Sequence, residues 1–535
     1  MNVCAQDAHC TVDQSRVAEL GRPVLQALSL GLGALLWLGV AAPAQADSEA
    51  MCSLTYDLPA DIDLNYPFPH YAQGRFDKLS WNSFLALNAP FVGGRVSRGG
   101  DNRTQWSRWS STTDLLECQQ DPDSCDCPED GCQSGDRYYP AECQDINGYQ
   151  HYRVLAEESK VDDLFLESEQ GGGLSNDPLI DRRGKFLRYE IVVSPATYDF
   201  VVGNEYYEAS VLDDLDEPVN FTCGNGAYTG GNPANPEMGA IVIKNAWMEL
   251  SKRKRSRYHT EKLLVYSPAD RTSTGVASCK LQTMALVGQH IAHKTIKQPN
   301  WIWSTFEHRL NAPDCTALPP AGDMAGSGPS TACPTSVSSS YNFYPKSCSV
   351  GGKNEGVCQT CNAVPMSNLP ADAPEGECTN PDVEDNTAWC LDLPPAETAG
   401  VTMACVQVPI EANYPTAHAQ NEACASRLGR RSAWRNYQLV STQWFVDDSD
   451  ICQSGSTSLD RNLIEPQVDV SGDGEDTRPF LGNTSMETYV RSSCVSCHSK
   501  ATVGTTDDPV GSDQMWWLNL EVADAPSETA EALTD

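Results

Sequence analysis

Along most of the chain, apolar residues alternate with polar ones or gather in short runs, a pattern that predicts strands rather than long helices. Lys185 to Ser194 (KFLRYEIVVS), Gly239 to Ile243 and Lys262 to Tyr266 are β-prone runs bounded by turn formers. Met284 to Thr295 (MALVGQHIAHKT) and Trp301 to His308 (WIWSTFEH) read as two strands joined by the turn IKQPN, and Tyr437 to Phe445 (YQLVSTQWF) reads as another. Helical spacing shows at residues 74–90, where Phe76, Leu79, Phe84 and Leu87 recur and Pro90 ends the run. Between His308 and Arg430 the composition shifts to Pro, Gly, Ser and Cys, which predicts a cysteine-stapled loop region instead of an independent core. The expected fold class is therefore α+β, mainly β with short helices, with no internal repeat.

The first residues change the picture. Val24 to Val40 (VLQALSLGLGALLWLGV) is one apolar run, preceded by Arg16 and Arg22 and followed by Ala44-Gln45-Ala46. A charged start, an apolar middle and a small-x-small end predict a secretory signal cleaved after Ala46 rather than a membrane anchor. Three segments follow: a signal peptide at 1–46, a large β-rich domain at 47–480 with disulfide-rich insertions at about 115–145 and 310–430, and a C-terminal segment at 481–535. No second apolar run reaches spanning length, so no membrane span is expected in the mature chain. Its 37 Lys+Arg face 72 Asp+Glu, a net charge of −35, which argues against nucleic acid and anionic lipid as partners.

Of the 22 cysteines, Cys4 and Cys10 leave with the signal. An exported protein keeps its remaining cysteines in an oxidising compartment, where disulfides are expected. One pair stands apart, in Ser493-Cys494-Val495-Ser496-Cys497-His498. Cys-x-x-Cys-His is the attachment sequence for c-type haem: two thiols add to the vinyl groups and the adjacent imidazole binds iron. Upstream, Asn483-Thr484-Ser485-Met486-Glu487 offers an N-cap and helix-tolerant residues, so a helix is expected to run into the motif. Competing readings are two further disulfide cysteines, a thioredoxin-like redox pair, or half a zinc site. The thioredoxin reading lacks an adjacent strand–helix pattern, and the only other Cys-x-x-Cys, Cys358–Cys361, is followed by Asn362. The remaining 18 cysteines are an even number whose connectivity the sequence does not give.

Four stretches, FDKLSWNSFLALN (76–88), LVGQHIAHKTIKQPNWIWSTFEH (286–308), RNYQLVSTQWF (435–445) and LGNTSMETYVRSSCVSCHS (481–499), together resemble a family of exported bacterial proteins described as cytochrome c family proteins. The resemblance implies one covalent haem c and a periplasmic or secreted location; the cysteine-rich stretches depart from it. It leaves the mechanism open between single-electron transfer to a redox partner protein, a haem enzyme of peroxidase or oxygenase type, and a haem-containing sensory or binding protein.

The second axial position separates these. Only 37 residues follow His498, too few for a complete small cytochrome domain, so the haem segment is expected to pack on the large domain. His290 and His293 are the leading distal candidates, followed by His308 and Met515. On a strand His290 and His293 point to opposite faces, so at most one reaches the iron, while Gly288 would admit a flat macrocycle close to the backbone. Two lesser signals complete the reading. Asp469 to Glu475 resembles the start of a calcium loop, but Phe480 stands where the twelfth-position Glu belongs, and a solvated acidic turn is expected. Lys252 to Arg257 (KRKRSR) is the one basic run, read either as a dock for an acidic partner or as a solvated turn.

Overall fold

β-Branched and aromatic residues dominate the strand runs, and in the computed structural model they assemble into one seven-stranded sheet. The structure describes residues 52, 57–62, 71–88, 91–92, 95–96, 104–128, 131–155, 179–183, 185–224, 238–250, 255–269, 272, 274–314, 341–343, 402–403, 415–430, 432–444, 482–486, 494–498, 501–504 and 509–518. The sheet strands are β1 (Val154–Leu155), β2 (Leu187–Val193), β3 (Ile241–Glu249), β4 (Thr260–Ser267), β5 (Ser278–His293), β6 (Ile302–His308) and β7 (Tyr437–Trp444). The helices that matter here are α1 (Tyr71–Asn88), α2 (Thr112–Gln120), α3 (Pro195–Gly203), α4 (Pro415–Arg427) and α5 (Cys494–His498).

The order is β7-β6-β5-β3-β2, with β4 pairing β5 and β1 pairing β4. Strand β5 is 16 residues long and changes partner along its length. Its first half pairs β4 (Tyr266↔Cys279 through Thr260↔Ala285), and its second half pairs β6 (Gly288↔Glu307 through His293↔Ile302). That change of partner curls the sheet into a nearly closed barrel. A bulge between Ala246 and Trp247 assists it by leaving an extra residue in β5. Arg188 on β2 donates to the Tyr266 carbonyl on β4 at 2.9 Å, stitching the remaining seam.

The concave face holds the core: Ile241, Ile243 and Trp247 of β3, Leu263 of β4, and Leu286 and Ile291 of β5. Against it lie Trp81, Phe84 and Leu85 of α1 and Ala417, Ala423 and Cys424 of α4. Phe84 stacks on Phe306 with ring centroids 4.1 Å apart. The predicted helix at 74–90 is present and starts three residues earlier. The loop reading of 310–430 needs one correction, because its end forms helix α4. That helix is tied by Cys424–Cys52 to the start of the described chain, across 372 residues. Its mixed sequence, PTAHAQNEACASR, offers no wide apolar stripe by which to recognise it.

Three further disulfides are defined, Cys118–Cys125, Cys127–Cys132 and Cys143–Cys279, and Cys223 is disulfide-bonded as well. The sulfurs of Cys118, Cys125 and Cys127 cluster because two of these bridges are neighbours, so their lone pairs belong to disulfides rather than to a metal. Among the described residues no helix is long and apolar enough to cross a membrane. The signal sequence, the calcium-like loop at 469–480 and Cys358–Cys361 lie outside the described residues.

Inside the barrel the core encloses a charged network. Arg153, entering β1, meets Glu190 of β2 at 3.3 Å and Glu261 of β4 at 3.0 Å. His259 bonds the other oxygen of Glu261 at 2.8 Å, and Trp247 donates to Glu190 at 2.8 Å. The guanidinium also lies over Trp106, 4.7 Å from the ring centroid. A second, uncharged chain runs on from it: Asn245 donates to Glu190, Gln289 to Asn245, Asn88 to Gln289, and Trp106 to Asn88.

Candidate functional site

The convex face of the sheet receives the C-terminal segment. Strand alternation decides which side chains meet it. Three cross-strand rows run over this face, in register across β2, β3, β5 and β6. The first is Val193–Val242–Ala292–Trp303, the second Ile191–Lys244–His290–Thr305, and the third Tyr189–Ala246–Gly288–Glu307.

The first row is covered by helix α5 and the residues beyond it: Val495, Val503, Met515, Trp517 and Leu518 join Val242, Ala292 and Trp303 in one buried cluster. The third row is covered by residues 483–486. Met486 packs with Tyr189, Ala246 and Val287, Tyr189 donates to the Ser485 carbonyl at 3.0 Å, and Glu307 accepts the Thr484 N–H at 3.1 Å. Gly288 admits this segment, since a Cβ there would strike Ser485 Oγ. Between the covered rows, Ile191, Lys244 and His290 are only half buried. A strip across three strands is thus left partly open, flanked on one side by α5 and on the other by residues 483–486.

Helix α5 is short and held by specific contacts. The Cys494 N–H donates to Gln443 Oε1 of β7 at 2.9 Å, and Val495 is fully buried. The His498 ring lies over Trp303 of β6, centroids 4.0 Å apart. Its Nδ1 pairs with the Gln514 carbonyl at 2.8 Å. A carbonyl can only accept, so Nδ1 is protonated and donates this hydrogen bond. Gln514 is itself fixed: its side-chain oxygen accepts from Trp303 Nε1 at 3.1 Å.

Asp513 and Gln514 have φ of 51° and 67°, a left-handed pair that non-glycine residues adopt only when held there. The hold comes from Asp513. Its carboxylate accepts from the Phe221 N–H at 2.8 Å and pairs with Lys294, and its carbonyl accepts from Trp301 at 2.7 Å. Lys294 sits at the end of β5 with a side chain wholly out of solvent, and also reaches Asn220 at 3.1 Å. Burial pushes the Asp513 carboxyl up and the Lys294 ammonium down, each opposed by the other's charge. The sheet end therefore positions His498 through Lys294, Asp513 and Gln514 in turn.

The distal candidates separate cleanly. His290 shares the convex face with Ala292 and Gly288, between the two covering segments. His293 points the other way, with Ile291 on the core face, and is 2% exposed with both ring nitrogens lacking a hydrogen-bond partner. His308 is engaged on both nitrogens, by the Arg257 carbonyl at 3.0 Å and the Leu310 N–H at 3.1 Å, and stacks on Tyr258. Met515 follows Gln514 and is buried in the cluster that holds Val495 and Trp303. Of the helix expected from Asn483 into the motif, residues 484–486 form a turn, and residues 487–493 lie outside the described residues.

Sequence reading missed Trp303, Gln443, Lys294, Asp513 and Gln514. A lysine next to an apolar strand run was the one available signal. The comparisons add no identity: no family model, no curated protein and no solved structure matches the chain.

His293 gives a pH test that does not depend on any cofactor. Burial lowers its pKa from 6.5 to about 4, so the folded protein keeps it neutral where the unfolded chain is protonated. Between pH 6.5 and 4 the unfolded state binds the extra proton, and His293 therefore reduces stability as pH falls through that window. The apolar variant His293→Leu is expected to gain on wild type by about 3 kcal/mol between pH 7 and pH 4. Urea denaturation at both pH values measures the gain, and a pH-independent difference would refute it.

Proposed function

We propose that the chain is a periplasmic c-type cytochrome that binds one covalent haem c and transfers single electrons to and from a redox partner protein. The carrying observation is the His498–Gln514 contact. In the Cys-x-x-Cys-His setting, a carbonyl partner on Nδ1 orients the imidazole and leaves Nε2 as the nitrogen that would bind iron. The residues present fit the group: Cys494 and Cys497 would supply the thioether bonds and His498 the proximal nitrogen. His290, on the half-open strip, would supply the second axial ligand.

When bound, the haem contributes a one-electron ferric–ferrous couple. The protein's part is to set the surroundings. Trp303 and Val495 exclude water from the proximal side, and the Gln514 carbonyl raises the basicity of His498, which favours the oxidised state. The four disulfides defined here suit an oxidising compartment, which is also where c-type maturation takes place.

Co-expression with c-type maturation factors, followed by intact mass and a pyridine haemochrome assay, should show one haem per chain. Cys494→Ser combined with Cys497→Ser should abolish attachment, whereas His498→Ala should keep it and alter the spectrum. Protein that acquires no covalent haem under those conditions would end this reading. A ferric protein that is low-spin and insensitive to cyanide supports a carrier, with His290→Ala converting it to a ligand-binding form. High-spin wild-type haem that takes up cyanide and peroxide would point instead to the peroxidase or oxygenase reading.

A further inference from the structure

A second site lies at the other end of β6, away from the haem motif. The chain leaves β6 at His308 and continues into Arg309. The turn after α4 supplies Arg430, and the short turn Ala433–Asn436 leading into β7 supplies Arg435. The only basic run in the sequence delivers Arg257 to the same place. Together with Ser256, Ala425 and Asn436, these four arginines line a cleft of about 510 Å³. Among the described residues no aspartate or glutamate is in that lining, although the whole chain carries nearly two acidic residues for each basic one.

The cleft has a fixed frame. The Arg257 carbonyl accepts from both His308 Nε2, at 3.0 Å, and Asn436 Nδ2, at 2.8 Å, which pins the basic run to the ends of β6 and β7. The Arg309 backbone N–H bonds the Asn436 carbonyl at 2.8 Å. Arg309 is half-buried; its Nη2 donates to the Asn421 carbonyl at 3.4 Å, and its Nε, out of solvent, has no hydrogen-bond partner among the described residues. Among the described residues none of the four guanidiniums forms an ion pair, and the acid that acts on Arg309 is the exposed Glu422. Burial and the neighbouring Arg435 charge both disfavour the charged form of Arg309, so positive charge here is undercompensated.

We propose that this cleft binds a small polyanion bearing phosphoryl or carboxylate groups. The volume falls within the range of small-ligand sites, and arginine forks recognise either oxyanion with paired N–H donors. A net charge of −35 repels anions at long range, so capture must rely on several guanidiniums at close quarters. An acidic redox protein fits less well. Arg309 lies six residue steps beyond Trp303, about 20 Å at the usual strand rise, so a partner docked here would sit far from the proposed haem. The proposal is independent of the haem assignment, since no described residue of α5 is in the cleft lining.

Calorimetric titration of the mature full-length protein with pyrophosphate and with citrate, at constant ionic strength in chloride, tests it. Saturable one-to-one binding of either anion is expected, and which of the two binds identifies the phosphoryl or the carboxylate class. Arg430→Gln combined with Arg435→Gln, both on the cleft rim, should weaken binding about tenfold or more while leaving the thermal midpoint and far-UV dichroism unchanged. Arg309→Lys keeps the charge but not the fork, and should weaken binding with little change in fold. Absence of binding by both anions, or binding that the rim double variant leaves intact, overturns the proposal. So does binding of an acidic polyglutamate peptide alone, which would mark a protein-docking surface.

Discussion

Arg153→Met is expected to destabilise the protein by about 3–5 kcal/mol at pH 7, because it leaves two carboxylates in the barrel without their cation. The guanidinium is the hub of the network. It faces Glu190 on one side and Glu261 on the other, and is itself only 8% exposed. Burial alone would raise Glu261, but Arg153 and the His259 hydrogen bond outweigh burial and hold that carboxyl at about 2. Glu190 moves the other way: burial pushes it up against the opposition of Arg153. Because the folded pKa of Glu261 lies below its unfolded value, its stabilising contribution is complete above about pH 4.5 and disappears as pH falls toward 2.

The gap between wild type and Arg153→Met should therefore be largest at neutral pH and shrink in acid. Combining Arg153→Met with Glu190→Gln and Glu261→Gln should recover much of the loss, since the uncompensated charges are then gone. Chemical denaturation at pH 7 and pH 4 reads both effects. A loss below 1 kcal/mol at pH 7, or a triple variant worse than the single, would contradict the role assigned to Arg153.

This network also shows where sequence reading stops. The strands were legible because runs such as WIWSTFEH and YQLVSTQWF pack apolar and aromatic residues at strand length between turn formers, and the mainly-β class follows from them. Strand β5 was underread by six residues, because Ser278 to Thr283 is polar and half-buried at its pairing with β4. Helix α2 escaped notice inside a cysteine-rich stretch, although its Ser111–Asp114 capping box is a local signal that could have been used. Arg153, Glu190 and Glu261 offered no signal at all. Each is an ordinary charged residue in its own segment, and only the barrel brings the three together.

The site divides along the same line. Cys494, Cys497 and His498 stood out in the sequence because the proposed chemistry demands fixed spacing within five residues. The faces that His290 and His293 take up needed the strand's absolute orientation, and a bulge at residues 286–288 changes the face parity just before them. The basic cleft is the extreme case. Its arginines come from stretches up to 178 residues apart, and Arg309 and Arg435 have no adjacent Lys or Arg in the sequence.

Asp513→Ala should cost about 3–5 kcal/mol, since it strands the Lys294 ammonium inside the protein and releases the turn that holds His498. Removing both charges, as Lys294→Met with Asp513→Leu, should cost less than the single change, because no buried ion is then left unpaired. A role confined to folding would stop at those stability differences. The chain Lys294–Asp513–Gln514–His498 predicts more. Once Asp513 no longer fixes its turn, the Gln514 carbonyl loses its set position opposite Nδ1, and His498 loses the partner that fixes its tautomer. Hydrogen exchange should then accelerate at residues 501–504 and 509–518 while the amides of β3 and β5 stay protected. In haem-loaded protein the double variant should show a raised midpoint potential, because the proximal imidazole is less basic without its carbonyl partner. An unchanged potential beside accelerated exchange would separate the anchor from the ligand and disprove the positioning role of Asp513, whatever the stability result.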